Sequence, residues 1–274
     1  MAIKNLLVAF NGSETSKNAL GAALLMQKKY DAHITGILAH EGNRDRFSQH
    51  QWVPENVRGI LNEAIQQNET EVEAQFHAQA GPTVPPEKLH WISLSGQPDH
   101  TVSQYACMFD FTLIGKHDNE VSTDIDLHPE TIALKSGRPV LVVPNIANNE
   151  ALAKTAVLAW DGRRSATRAL NDAMLILETK QKVDVVSFGQ DVRPPLDGID
   201  VVSALRRHEV PASRIRRPAT SRNIGQDILN YCHEVDAGLL VMGAFERSLL
   251  REEIFGGPTK FILENATLPV LLAH

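Results

Sequence analysis

Three short segments in the second half of the chain carry residues suited to holding a small anionic ligand. The first is Ala159-Trp160-Asp161-Gly162. A carboxylate here can accept hydrogen bonds from a ribose hydroxyl or an adenine amino group, and it can equally cap the helix that follows. The second is Gly243-Ala244-Phe245-Glu246-Arg247, and the third is Phe255-Gly256-Gly257-Pro258-Thr259-Lys260. Successive glycines at a helix start let the backbone approach an anion closely. The unbonded N–H groups and the helix dipole there favour phosphate. The Thr259 hydroxyl adds a donor and Lys260 a charge. Read as architecture alone, Gly256-Gly257 is a hinge between loop and helix. Other phosphate and nucleophile signatures are missing. The chain contains no G-x-G-x-x-G, no G-x-x-x-x-G-K-[ST] and no G-x-S-x-G. His117, Asp118, Asp124, Asp126 and His128 fit no metal-ligand spacing and read as an acidic surface loop. No metal site is expected. With no base, nucleophile or metal set, no enzyme is expected either, although slow hydrolysis of a bound nucleotide is left open.

The elements that position these segments occur twice. Val8-Ala9-Phe10-Asn11-Gly12-Ser13 and Leu158-Ala159-Trp160-Asp161-Gly162-Arg163 are each an apolar strand, an Asn or Asp, a Gly and a helical pattern. Phe111-Thr112-Leu113-Ile114-Gly115 matches Leu239-Leu240-Val241-Met242-Gly243. Ser136-Gly137-Arg138-Pro139-Val140-Leu141-Val142-Val143 matches Ala266-Thr267-Leu268-Pro269-Val270-Leu271-Leu272-Ala273. Three matches in one order mark an internal repeat.

In the first copy the pattern predicts strands near 4–10, 33–39, 89–94, 111–115 and 139–143. Its helices fall near 14–29, 54–80, 98–107 and 129–136. In the second copy strands fall near 155–160, 182–187, 213–216, 238–242 and 269–273. Helices fall near 164–177, 197–208, 222–234 and 257–265. Continuous apolar strands such as LLVAF and VLVVP suit a parallel sheet covered on both faces, and alternating elements suit doubly wound α/β units. The expectation is two tandem Rossmann-like α/β domains, 1–145 and 151–274, joined by a polar linker at 145–150. The Glu- and Gln-rich helix at 54–80 is expected to be solvated outside, with Ile60, Leu61, Ala64, Ile65, Val72 and Phe76 toward the sheet.

Composition limits the partners. The chain has 274 residues, 43% of them apolar, and a formal net charge of -6. Such a chain does not bind nucleic acid by bulk electrostatics. Arg206, Arg207, Arg214, Arg216, Arg217 and Arg222 cluster in sequence and read as a solvated face. Cys107 and Cys232 lie in apolar stretches and read as buried reduced thiols. No apolar run reaches the about 18 residues of a membrane span, and the N-terminal apolar run is too short for a secretory segment. A cytoplasmic protein is expected.

The strand-Asp-Gly motif, the Gly-Gly-x-Thr loop and the closing Ala-Thr-x-Pro-Val-Leu-Leu together resemble the universal stress protein family, in its tandem two-domain form. ATP-binding members of that family carry Gly-x-x-Gly, nine residues, then Gly-Ser or Gly-Thr. The matching positions here are Gly243, Glu246 for the second Gly, Gly256, and Gly257 for the Ser or Thr. The resemblance implies ATP, or AMP or ADP, in the second half. Trp160, Asp161, Val186, Gly243, Gly256, Gly257 and Thr259 would then line the site, with the base against Trp160 or the strand around Val185 and Val186. Glu246 and Pro258 depart from the pattern. The first half departs further, with Asn11 for the Asp and no Gly pair after Gly115. It is expected to be structural, packing on the second half as a pseudo-dimer, with further homodimerisation open. Two functions remain: a nucleotide-binding stress or regulatory module, or a protein-interaction scaffold whose sites have degenerated in both halves.

Overall fold

The structure, a computed structural model, describes residues 2–40, 55–117, 127–144, 155–189, 200–244 and 257–274. Two compact units divide the chain, Met1–Ser136 and Gly137–His274. The expected linker at 145–150 lies outside the described residues.

Unit 1 holds β1 (Asn5–Ala9), α1 (Glu14–Tyr30), β2 (His33–His40), α2 (Glu55–Ala80), β3 (Leu89–Ser95), α3 (Pro98–Ala106), β4 (Phe111–Gly115) and α4 (Pro129–Ser136). Its strands are ordered β3-β2-β1-β4 and pair in parallel. Leu6, Leu7 and Val8 of β1 are fully buried, as continuous apolar strands require when both sheet faces are covered. Helix α1 starts at Ser13, whose side chain accepts from the Ser16 N–H, and stops at Asp31, which takes the left-handed conformation at φ 55°.

Unit 2 holds β5 (Val140–Val143), β6 (Thr155–Ala159), α5 (Arg164–Leu177), β7 (Lys182–Phe188), α6 (Val201–Arg207), β8 (Ala212–Arg217), α7 (Ile224–Glu234), β9 (Leu239–Gly243), α8 (Pro258–Asn265) and β10 (Val270–Ala273). The strands β8-β7-β6-β9-β10 are parallel. β5, the strand that closes the first sequence copy, pairs antiparallel with β10, the strand that closes the second; Leu141 faces Leu271. Both strands open after a proline, where a missing N–H is tolerated.

Two side-chain expectations are corrected. In α2, Val72 and Phe76 are buried as expected, but Ile60 is 65% exposed, Ala64 is exposed, and Leu61 and Ile65 are half-buried. The apolar stripe is continuous in sequence, yet only the C-terminal part of the helix reaches core. Cys107 is exposed, with its thiol donating to the Ser103 carbonyl at 3.3 Å, because α3 ends at Ala106 and the next turn lies at the surface. Cys232 is buried, and burial pushes its thiol up to about 12.

All six arginines of the cluster are exposed, as a solvated face requires, and three of them are tied to the fold. Arg214 pairs with Asp200 at 3.4 Å and Arg217 with Glu234 at 2.6 Å. Two nitrogens of Arg206 donate to the Ala212 carbonyl. β8 is the last strand of its sheet, and charged side chains there discourage pairing with another chain.

Candidate ligand sites at the strand ends

Strand order reverses between β1 and β4 in unit 1 and between β6 and β9 in unit 2. In open parallel sheets ligands settle beyond the carboxyl ends of the strands at that reversal. The loop after the first strand is built alike in both units. The Asn11 Oδ1 accepts from the Ser13 N–H at 3.0 Å, and the Asp161 Oδ1 accepts from the Arg163 N–H at 3.0 Å. Between them Gly12 and Gly162 sit at φ 83° and 76°, a conformation that side chains disfavour. Asp161 is therefore a turn brace, and the N-cap of α5 is Arg163, which makes no side-chain cap bond.

The fourth strands also end alike. A Cβ on Gly115 would lie 2.2 Å from the Thr15 carbonyl oxygen, and one on Gly243 would lie 2.5 Å from the Ser165 carbonyl carbon. Gly243, expected as part of a phosphate cradle, is thus also the point where the start of α5 presses on the sheet. The Trp160 N–H donates to the Val186 carbonyl at 2.8 Å, and the Trp160 carbonyl accepts from the Ser187 hydroxyl at 2.6 Å. Val186 is buried in the core beneath the strand ends. Trp160 and Asp161 are half-buried, and Thr259 is 8% exposed in the first turn of α8. Gly256, Glu246 and Arg247 lie outside the described residues.

The helices leading to the last strands differ between units, and sequence reading missed how. In unit 1 the carboxylate of Asp99 sits at the start of α4. It accepts from the His128 N–H at 2.9 Å and contacts the His128 Nδ1 at 2.8 Å. In unit 2 the second residue of α7 is Gly225, matching Asp99 in α3. A Cβ there would meet the Pro258 carbonyl at 2.8 Å. Helix α8 begins at Gly257 with no side-chain cap bond, and Pro258 stands at its first position, where the missing N–H would have had no helical partner anyway. The start of α4 is thus occupied by a carboxylate, while the start of α8 has no carboxylate upon it among the described residues. The signal in the sequence was the Asp99 and Gly225 difference, and no spacing rule ties either residue to the distant helix.

A second residue that sequence reading missed is Asp227. It accepts from the N–H groups and hydroxyls of Thr220 and Ser221 at 2.7–3.2 Å, fixing the loop after β8. Burial alone would raise its pKa, but these hydrogen bonds outweigh it and hold the carboxyl below its ordinary value. This contribution to stability is complete above the unfolded pKa of about 3.9 and disappears as pH falls through the depressed folded pKa. We expect Asp227→Ala to lower unfolding stability by about 2 kcal/mol, since buried donors lose a charged acceptor. Urea denaturation at neutral pH checks this, and a loss under 0.5 kcal/mol would remove Asp227 as the anchor of the loop.

One cleft among the described residues lies in unit 1. It lies beyond the ends of β1, β2 and β4. Ile37, Ala39, Val102, Ile114 and Leu127 contribute apolar wall, and Asn11, Ser13, Thr15 and His117 contribute polar groups. Among the described residues no three histidine, cysteine or acidic side chains are grouped to hold a metal ion, and no helix is long and apolar enough to cross a membrane.

No family model and no curated protein matches the sequence. Solved structures do match the fold. A universal stress protein from Archaeoglobus fulgidus DSM 4304 is 17% identical, with 98% of this chain and 97% of that chain covered at a TM-score of 0.72. A putative universal stress protein from Pseudomonas aeruginosa UCBPP-PA14 is 16% identical, with 99% and 93% covered at 0.58. A functionally unknown protein from Pseudomonas aeruginosa PAO1 is also 16% identical, with 99% and 92% covered at 0.55. At that identity the likeness establishes architecture: along its whole length this chain is built as the universal stress proteins are.

Proposed function

We propose that this protein is a stress-response or regulatory module that holds an adenine nucleotide, ATP or its AMP or ADP relatives, at the strand ends of unit 2. The observation that carries the reading is the uncapped start of α8 at Gly257, contrasted with the carboxylate-occupied start of α4. The topology brings that helix start to the same edge of the sheet as Trp160, Asp161 and Gly243, because α8 connects the parallel strands β9 and β10. Phosphate would sit on the N–H groups there, with the Thr259 hydroxyl beside them. Asp161 would hold the ribose with the oxygen not used in its turn. The output is a change of conformation or partner binding, not turnover.

ATP at about 100 times its dissociation constant is expected to stabilise the protein by roughly 2.7 kcal/mol. Gly257→Asp supplies the control. Gly257 has φ −81° and open space where a Cβ would stand, so the fold accepts the change. The new carboxylate would cap α8 and repel phosphate, as Asp99 does at α4. The variant should be at least as stable as the parent and lose the ATP response. If ligand-free parent protein shows no thermal shift at millimolar ATP, the nucleotide reading fails and the scaffold reading replaces it.

A further inference from the structure

We propose that the open edge of β8 in unit 2 is a docking site for an acidic, extended segment of a partner protein, which adds to the sheet as an antiparallel strand with its acids opposite Arg214 and Arg216. The proposal goes beyond the nucleotide reading and does not depend on it.

The backbone supports the strand addition. β8 is the last strand of its sheet and pairs only with β7 among the described residues. The Pro211 and Arg217 carbonyls accept from the Val183 and Gly189 N–H groups, both at 3.0 Å. A strand residue turns its N–H and C=O to the same side, and that side alternates along the chain. Ser213 and Ile215 therefore also turn theirs to β7, while Ala212, Arg214 and Arg216 turn theirs away from it. The Ala212 groups are spent within the chain. Its N–H donates to the Val210 carbonyl at 2.8 Å, and its carbonyl accepts from Arg206. Arg214 and Arg216 are left with an open row of donors and acceptors. Pro211 and Pro218, which have no N–H, bracket that row.

The side chains select the partner. Arg214 and Arg216 are exposed and project from one face of the strand, while the half-buried Ile215 between them projects from the other. Arg214 reaches Asp200 only at 3.4 Å, and Arg216 makes no hydrogen bond or ion pair among the described residues. Arg217, on the Ile215 face, is already held by Glu234 and lies over the Tyr231 ring. A second β8 strand pairing antiparallel would set arginine against arginine, which is unfavourable, whereas an aspartate or glutamate opposite each arginine is favourable. The edge thus rejects its own copy and reads a pattern of acid, β-branched residue, acid. β3, the matching edge strand of unit 1, has no lysine or arginine in Leu89–Ser95 and lacks that selector. Main-chain bonds would supply affinity and the alternate side chains specificity, as strand addition does elsewhere.

The probe is the acetylated and amidated peptide Thr-Asp-Val-Asp-Thr, titrated at fixed ionic strength into the full chain while backbone amide resonances are followed. The Arg214 and Arg216 amides are expected to shift to saturation at millimolar peptide, while those of Trp91 and Ile92 on β3 stay in place. Replacing both aspartates of the peptide with asparagine should weaken binding about tenfold, since two opposite-charge pairs are lost. N-methylation of both aspartate nitrogens keeps the charges but removes the N–H donors that would face β8, and it should abolish saturation. The double variant Arg214→Gln, Arg216→Gln should bind the aspartate and asparagine peptides alike. Both side chains are exposed, so the fold accepts the changes. The proposal is overturned if the aspartate peptide leaves the Arg214 and Arg216 amides unmoved, or if the asparagine peptide binds as tightly. Equal binding of the N-methylated peptide would also overturn it, because that is charge contact without an added strand.

Discussion

Gly115→Ala is expected to destabilise unit 1 by about 3 kcal/mol or more, and Gly243→Ala to do the same to unit 2, which places both at or beyond the upper end of ordinary overpacking effects. The added Cβ at position 115 would stand 2.2 Å from the Thr15 oxygen and 2.3 Å from its carbonyl carbon. At position 243 it would stand 2.5 Å from the Ser165 carbonyl carbon and 2.6 Å from the Ala166 nitrogen. These neighbours are backbone, so no rotamer change relieves the contact. The helix starts cannot withdraw without cost. α1 is tied down by the Asn11 and Ser13 hydrogen bonds, and α5 by the Asp161 brace. Urea unfolding followed by tryptophan fluorescence checks this, since Trp160 reports unit 2 and Trp91 reports unit 1. Losses below 1 kcal/mol in both variants would mean that helix and strand separate easily. The close approach would then not be what requires glycine.

Phe76→Ala is expected to cost about 3–5 kcal/mol, the range for a buried aromatic removed from a packed core. Phe76 is fully buried. Its ring meets Phe10 edge-on at 5.5 Å and lies tilted against Trp91 at 5.1 Å, while Phe10 also meets Trp91 at 6.3 Å. The three rings join α2, the end of β1 and β3, and such pairs contribute beyond their buried area. Removing the middle ring leaves a cavity shared by all three elements. Because among the described side chains of α2 only Val72, Phe76 and Ala80 are deeply buried, these residues are its main hold on the core. Hydrogen exchange along α2 should accelerate together with the drop in stability. Unchanged protection there would show that the helix is anchored elsewhere.

The repeat was legible because strand–turn–glycine motifs are local. A strand buried on both faces reads as an apolar run, a turn with positive φ reads as glycine, and a strand opening reads as proline. The predicted strands accordingly fall within a residue or two of those observed. Helix α2 shows the limit of the same reasoning. Its apolar periodicity continues through Ile60, but periodicity records which residues share a face, not whether anything covers that face.

Local chemistry thus settled the doubly wound α/β class, the duplication, and the asparagine or aspartate brace after each first strand. Three-dimensional packing decided which helix start is open to an anion. Asp99 lies 29 residues from His128, and Gly225 lies 33 residues before Pro258. Chain folding brings each to the start of a helix it does not belong to. Packing also decided that β5 pairs antiparallel with β10, a contact between strands that no local spacing ties together. Neither outcome is encoded in spacing, because both arise from contacts between segments that the sequence keeps apart.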